Sequence, residues 1–465
     1  MMEKAAAENG TAAQVEAPSS GRLLLGMGIA LRLLTFAFLK PENVDGHSFV
    51  VSFIVQHGRL PHSGELGQAY HPPLYYWLAA PIYRLSGSFK AVQVFSLLLS
   101  ILTLLVFYRL IYRPGLISGH TARLYSFAFV CFLPQFVLYG LFVSNDTLSV
   151  FLGCAAVWCI AQFVSSPNAG KLAILALVGI LGLLTKATFM AYLPVLCFLV
   201  LFVSMKAGRS VTRSLAVALG FALVVAAAAS YKEIDNYRQY GHAFISNIDF
   251  HPDWAIRQQG TYQGTLSYIN ADFRRLISSP SLSSSTESAY PLMLYATFWY
   301  QHIPECSFFG SSHRPFTFLA VAIYILALVP TATFLVGIRT LGNRLPCLLR
   351  RFRSDNQQDC HALTRYAATG LLIANLGIMI AALVKYHVCS IMQGRLLFPS
   401  FFGILAVFAV GTEQMGRNQW GSRLLKFSVA ALCVLFVTYL LGEIAVTVVQ
   451  RFMPGVKEYL KAIAA

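Results

Sequence analysis

Apolar runs, most of them near or above the roughly 18–20 residues that a helix needs to cross a bilayer core of about 30 Å, divide this chain from end to end. They cover residues 22–39, 91–112, 121–143, 147–164, 172–184, 188–205, 214–231, 316–338, 366–384, 396–411 and 424–449. In hydrocarbon a backbone must satisfy its own amides, which leaves helices and closed barrels. Runs of this length exceed a barrel strand, so the expected fold class is an all-α polytopic membrane protein with about eleven transmembrane helices. Side chains that are 57% hydrophobic and only 12% charged exclude an ordinary soluble domain. The fifth run is short and could pair with the sixth as a re-entrant element.

A net charge of +16 raises the question of nucleic acid, and the placement of the charge answers it. Arg109, Arg113 and Arg123 follow the second run. Lys206, Arg209 and Arg213 follow the sixth, and Arg339, Arg344, Arg350, Arg351, Arg353 and Arg365 follow the eighth. Short basic loops alternating along the chain mark the cytoplasmic side, with no nucleic-acid partner implied. The same parity puts Lys171, Arg417, Arg423 and Lys426 inside with the N-terminus. Residues 1–20 read as a disordered cytoplasmic tail and not a signal peptide. The nine cysteines contain no CxxC pair and read as buried thiols. The expected organisation is a transmembrane module over 21–231 whose first outer loop, 40–90, carries the chemistry. A long outer loop or lid follows over 232–315, then C-terminal helices and a short tail over 316–465.

The outer loops hold the isolated ionisable groups that no sidedness rule requires. Asp45 follows the first run, and Phe49, Val50, Phe53 and Ile54 then recur at helical spacing. HPPLYYWLAAPIYRL, beginning at His71, opens a second helix with two prolines and headgroup-seeking aromatics. Two amphipathic interfacial helices are therefore expected in this loop. In SNDTL, either Asn145 or Asp146 is read as a helix cap, with a second acid facing the Asp45 cavity as the other reading of Asp146. Lys186 in LLTKATF either snorkels or meets an anion. Arg395 in QGRLLFP either anchors at the interface or grips a phosphate with two parallel hydrogen bonds. Acids, cations and His71 on one face suit an enzyme in which an acid deprotonates an acceptor while cations stabilise a phosphate leaving group.

Together, Asp45 after the first run, His71–Trp77, SNDTL, LLTKATF and QGRLLFP resemble the GT-C class of membrane glycosyltransferases. The likeness is to the branch similar to protein O-mannosyltransferases and the lipid A aminoarabinose transferase. The resemblance implies a hexosyl- or pentosyltransferase of the bacterial inner (plasma) membrane, working on the outer face with inversion. Its donor would be a polyprenyl-phosphate-linked sugar, and its acceptor a lipid, glycan or protein. It assigns Asp45 and Asp146 as catalytic acids and His71, Lys186 and Arg395 to the donor phosphate, with His47, Tyr75 and Tyr76 at the substrate. Relatives carry lysine where this chain has His71, so charge at that position depends on pH.

His47, His57, His62 and His71 with Glu65 also invite a divalent-metal reading, although spacings of ten, five and nine residues match no standard motif. No other cofactor is implied. Over 232–315, Trp254, Tyr262, Tyr268, Trp299 and Tyr300 offer faces on which sugars stack. The competing function is a transporter or flippase of lipid-linked or anionic substrates, which would place ionisable groups near the midplane on broken helices. Here the charges collect at outer helix ends, with Arg32 and Glu443 as exceptions. A non-catalytic scaffold would have no use for them.

Overall fold

The computed structural model describes residues 19–41, 45–113, 115–250, 252–259, 261–280, 282, 287–300, 317–352 and 356–452. Most of the N-terminal tail, part of the long loop (301–315), Arg353 and the C-terminal tail from 453 lie outside them. Every regular element among the described residues is a helix. In chain order these are α1 Ser19–Phe38, α2 His47–His57, α3 Leu74–Ser86, α4 Phe89–Tyr112, α5 His120–Phe132, α6 Pro134–Tyr139, α7 Asn145–Ser165, α8 Ala169–Leu183, α9 Tyr192–Lys206 and α10 Val211–Ala229. The long segment between α10 and α17 adds α11 Tyr231–Tyr240, α12 Asn247–Phe250, α13 Pro252–Gln259, α14 Leu266–Ile269, α15 Arg274–Ser278 and α16 Tyr290–Trp299. The chain closes with α17 Thr317–Arg351, α18 Gln357–Tyr386, α19 Phe401–Met415 and α20 Gln419–Phe452. The buried α19 packs against α17, α18 and α5.

Nine helical segments among the described residues are long and apolar enough to cross a membrane. Each of the eleven expected spans has a helical counterpart, and two of those counterparts fall short of that length. The fifth is the 15-residue α8, and the third is broken into α5 and α6 at Leu133. The break has a local cause. Pro134 has no N–H to give the carbonyl of Val130, four residues back, so the ladder stops there.

The buried Arg32 of α1 repairs this break. Its guanidinium donates to the Val130 carbonyl at 2.9 Å, to the Cys131 carbonyl at 3.2 Å and to Ser100 Oγ at 3.0 Å. The charge in the bundle interior is thus held by Ser100 and by the carbonyls exposed at the helix break. Arg32→Leu makes α1 more apolar, yet it is expected to lower stability by about 3 kcal/mol or more by orphaning those carbonyls. The thermal midpoint in detergent checks this. An unchanged midpoint would mean that the carbonyls find other donors.

The segment 45–90 carries two helices, as its periodicity predicts. α2 buries His47, Ser48, Val50 and Val51 and turns Phe49 outward. α3 buries Tyr75, Tyr76, Ala79 and Ala80 and exposes Trp77, Leu78 and Leu85. Between them the chain is pinned to α11: His62 Nδ1 lies 3.1 Å from Asp235, Ser63 Oγ donates to Asn236 at 2.6 Å, and Lys232 Nζ donates to the Pro61 carbonyl at 3.2 Å.

Candidate active site

Four turns converge at one end of the bundle, and backbone polar groups tie them together. The Val143 amide donates to the Pro41 carbonyl at 2.9 Å, and the Leu74 amide to the Leu184 carbonyl at 2.8 Å. Asn145 Nδ2 donates to the Thr185 carbonyl at 3.2 Å, and Asn375 Nδ2 to the Leu396 carbonyl at 2.8 Å. Each bond joins a turn bearing one charged residue to a neighbouring element. The result brings Asp45, Asp146, Lys186 and Arg395 together.

The Ser144 side chain, accepting from the Asp146 amide at 3.2 Å, is the cap of α7. The expectation that Asn145 or Asp146 caps this helix is therefore corrected. Asn145 is the first helical residue and uses its side chain to bridge turns. With its amide served by Ser144, Asp146 presents its carboxylate to Lys186 Nζ and, at 3.5 Å, to Arg395 Nη1.

Arg395 is the centre of the cluster. Its Nη1 and Nη2 both reach the Asp45 carboxylate, the latter at 3.1 Å. Nε donates to Gln393 Oε1 at 2.7 Å, and the guanidinium carbon sits 4.5 Å from the centre of the Tyr139 ring. Two carboxylates and two cations with side chains 9–19% exposed are costly to desolvate. Burying such a set rarely adds net stability, which argues for a functional reason to retain it. The turn 394–400 that carries Arg395 is wedged tightly. A Cβ on Gly153 would stand 1.9 Å from the Pro399 carbonyl oxygen, and one on Gly394 would stand 2.4 Å from Phe298 Cα.

These groups line a cavity of about 1010 Å³, together with His47, Gln68, Tyr70 and His71. His47 Nδ1 lies 2.8 Å from the Tyr76 hydroxyl, which donates to the Gln68 carbonyl at 3.3 Å. That chain of donors makes Nδ1 the protonated nitrogen and leaves Nε2 as an acceptor. Burial, only partly offset by Asp45, lowers the His47 pKa to about 4, and burial likewise holds His71 well below the usual histidine range. Both rings are neutral at pH 7, and they stack with centroids 5.5 Å apart. Tyr76 supports His47 from behind. Tyr75 is buried against Phe95 and does not reach the cavity. Gln68, Tyr70, Tyr139 and Gln393 escaped sequence reasoning because neutral polar and aromatic residues at the ends of apolar runs look like ordinary interfacial residues.

The histidines of the first loop have separate surroundings: His57 bonds the Phe53 carbonyl, His62 faces Asp235, and Glu65 is gripped by Arg59 at 2.6 and 2.8 Å. Among the described residues no group of three or more His, Cys, Asp or Glu is disposed to hold a metal. The aromatic platform is elsewhere. Tyr262 stacks on His387, Tyr268 packs on Tyr290, and Trp299 and Tyr300 are buried among helices, where apolar rings partition. The Trp254 side chain lies outside the described residues. The part of the long segment between α10 and α17 that meets the cavity is α11–α13, through residues such as Lys232, Glu233 and Arg257.

A second cavity, of about 1000 Å³ and almost wholly apolar, is lined by Val195 and Phe198 of α9, Leu376 of α18, Leu397, and Ile404 of α19. Leu396 lines the charged cavity and Leu397 this one, so the two abut at the Arg395 turn.

Residues 70–231 match the family model described as dolichyl-phosphate-mannose-protein mannosyltransferase. No curated protein matches the chain. Among solved structures it is similar to ArnT from Cupriavidus metallidurans bound to undecaprenyl phosphate, at 14% identity and a TM-score of 0.37, covering 85% of this chain and 77% of that one. It is also similar to the arabinosyltransferase EmbB from Mycobacterium smegmatis, at 13% identity and a TM-score of 0.42, covering 96% of this chain and 43% of that one. The described residues thus form an all-helical framework with nine segments able to span a membrane, and residues 70–231 of it are similar to a family of membrane mannosyltransferases.

Proposed function

We propose that the chain moves a sugar from a polyprenyl-phosphate donor to an acceptor on the outer face of the membrane, inverting the anomeric carbon. The observation that carries this reading is the Arg395 fork, shared by two carboxylates and flanked by Lys186, at the boundary between a charged cavity and an apolar one. A lipid phosphate needs both environments: cations for its head and a greasy channel for its tail. The matching family's description names a dolichyl-phosphate-linked mannose, which supports the same donor class.

In this reading the donor phosphate draws Arg395 and Lys186 from the carboxylates, and the polyprenyl tail follows the groove between α9, α18 and α19. Asp45, released from the fork, takes the proton from the acceptor hydroxyl or amine as that atom attacks the anomeric carbon. The bond from that carbon to the phosphate oxygen breaks, and the departing charge is met by the two cations. One displacement inverts the centre. Asp146, freed of Lys186 in the same exchange, orients the sugar or acceptor. His47, neutral with Nε2 free to accept, suits a substrate hydroxyl. The helices α11–α13 close the cavity as a lid.

Reconstitution of the full chain in liposomes with polyprenyl-phosphate sugars, beginning with mannose, tests the proposal. Acceptor-dependent release of free polyprenyl phosphate, followed by mass spectrometry, is the expected result. Passage of intact donor across the bilayer with no such release would instead support the flippase.

A further inference from the structure

A second charged site lies at the opposite end of the bundle. From Asp146 at the first turn of α7, Trp158 and Gln162 lie 12 and 16 residues along the same helix, a distance of about 18–24 Å at 1.5 Å per residue. They form a pocket of about 340 Å³ with Arg109, Tyr112 and Arg113 at the end of α4. Arg109 and Arg113 are four residues apart and share a face. The Arg113 guanidinium stands 6.0 Å from the Trp158 ring centre, and Lys171 Nζ reaches the Gln162 carbonyl at 3.1 Å.

The unusual feature is unmet donors. Arg113 Nη1, His361 Nε2 and Arg365 Nε are buried with no hydrogen-bond partner among the described residues. His361, only 5% exposed, lies between the charges of Arg113 and Arg365. The turn after α4 is folded tightly over this ring. Gly115 has φ +87°, and a Cβ there would sit 2.0 Å from His361 Nδ1. Ser118 in the same turn accepts from Arg365 Nη1 at 3.4 Å. The nearby acid Glu413 faces Arg365, Arg344 and Arg417. Among the described residues Arg109, Arg113 and Lys171 have no carboxylate partner. Membrane sidedness explains basic residues in water. It does not explain guanidinium and imidazole nitrogens buried together without an acceptor.

We propose that this pocket binds a phosphate group, held by Arg109 and Arg113 against Trp158, with the buried His361 ring and the Arg365 guanidinium behind Arg113. Paired guanidinium forks match phosphate oxygens, and a pocket at the ends of spanning helices is within reach of lipid headgroups. The site is separate from the donor site and independent of which sugar is transferred.

The full chain in a maltoside detergent, which has no phosphate, provides the test. Phosphatidylglycerol is expected to raise the thermal midpoint and to be retained in native mass spectra, while diacylglycerol with the same acyl chains is not. Arg113→Gln is expected to reduce retention about tenfold, the loss of a charge-assisted contact. Arg109→Gln, at an exposed position, gives the same reading if the first variant does not fold. Inorganic phosphate that stabilises the wild type as well as the lipid does would assign the site to free phosphate. Equal retention of diacylglycerol, or undiminished lipid retention in the Arg variants, would overturn the proposal.

Discussion

Asp45→Asn is expected to give a folded protein whose transfer rate is down by roughly 10²–10⁴-fold, the range lost with a positioned general base. The amide keeps the shape of the side chain but cannot take the acceptor's proton. It also ends the bidentate pairing with Arg395, so the fork becomes freer to meet a phosphate. Donor affinity should therefore hold or improve while turnover collapses. This combination separates loss of a base from general damage. Initial rates at saturating donor and acceptor, with donor binding and thermal midpoint measured on the same preparation, check all three. A wild-type rate would move the base elsewhere, with neutral His47 the next group to test.

Arg395→Ala should act on the other half of the reaction. The leaving phosphate loses its only bidentate partner in the cluster, with an expected fall of about 10²–10³-fold in transfer and weaker donor binding. Arg395→Lys should recover part of the binding but not the fork geometry. The alanine variant has a second signature. Removing the guanidinium takes away the cation that Asp45 and Asp146 share, with Lys186 staying paired to Asp146. Like charges held close in a poorly solvated cavity favour the protonated acid. Asp45 would then need a higher pH to be an available base, so the acidic limb of the pH–rate profile should move upward. Unchanged donor affinity in Arg395→Ala would place the phosphate at another site.

The framework and the charged cluster were legible for the same reason. In a chain this apolar, an ionised side chain at a helix end has no cheap location, so Asp45, Asp146, Lys186 and Arg395 stand out individually, and the structure brings them into contact. Less could be read of what surrounds them. Tyr139 lies under Arg395, and Tyr76 fixes the tautomer of His47, but an aromatic in a transmembrane sequence has many ordinary uses. The proline break at Leu133–Pro134 was visible as a residue and easily passed over within an apolar run. The irregular spacing of the histidines matches their separate surroundings, with His57 at the end of α2 on the Phe53 carbonyl and His62 on Asp235. The Ser144 cap went unread beside Asn145 and Asp146, although a helix accepts any of the three.

The glycines behind Arg395 bear on the energetics of the chemical step. Gly153 admits the Pro399 carbonyl and Gly394 admits the Phe298 backbone at distances no other side chain would allow, while the Gly394 amide donates to Thr297 Oγ1 at 2.8 Å. Main chain therefore rests on main chain around the residue meant to receive the departing charge. In water, solvent dipoles must reorient as such a charge develops. Here the corresponding reorganisation is completed when α7, α16 and the 394–400 turn come together, before any lipid arrives. In the proposed reaction, the accuracy with which the phosphate would be met thus depends on two hydrogen atoms, on Gly153 and Gly394, that would never touch it.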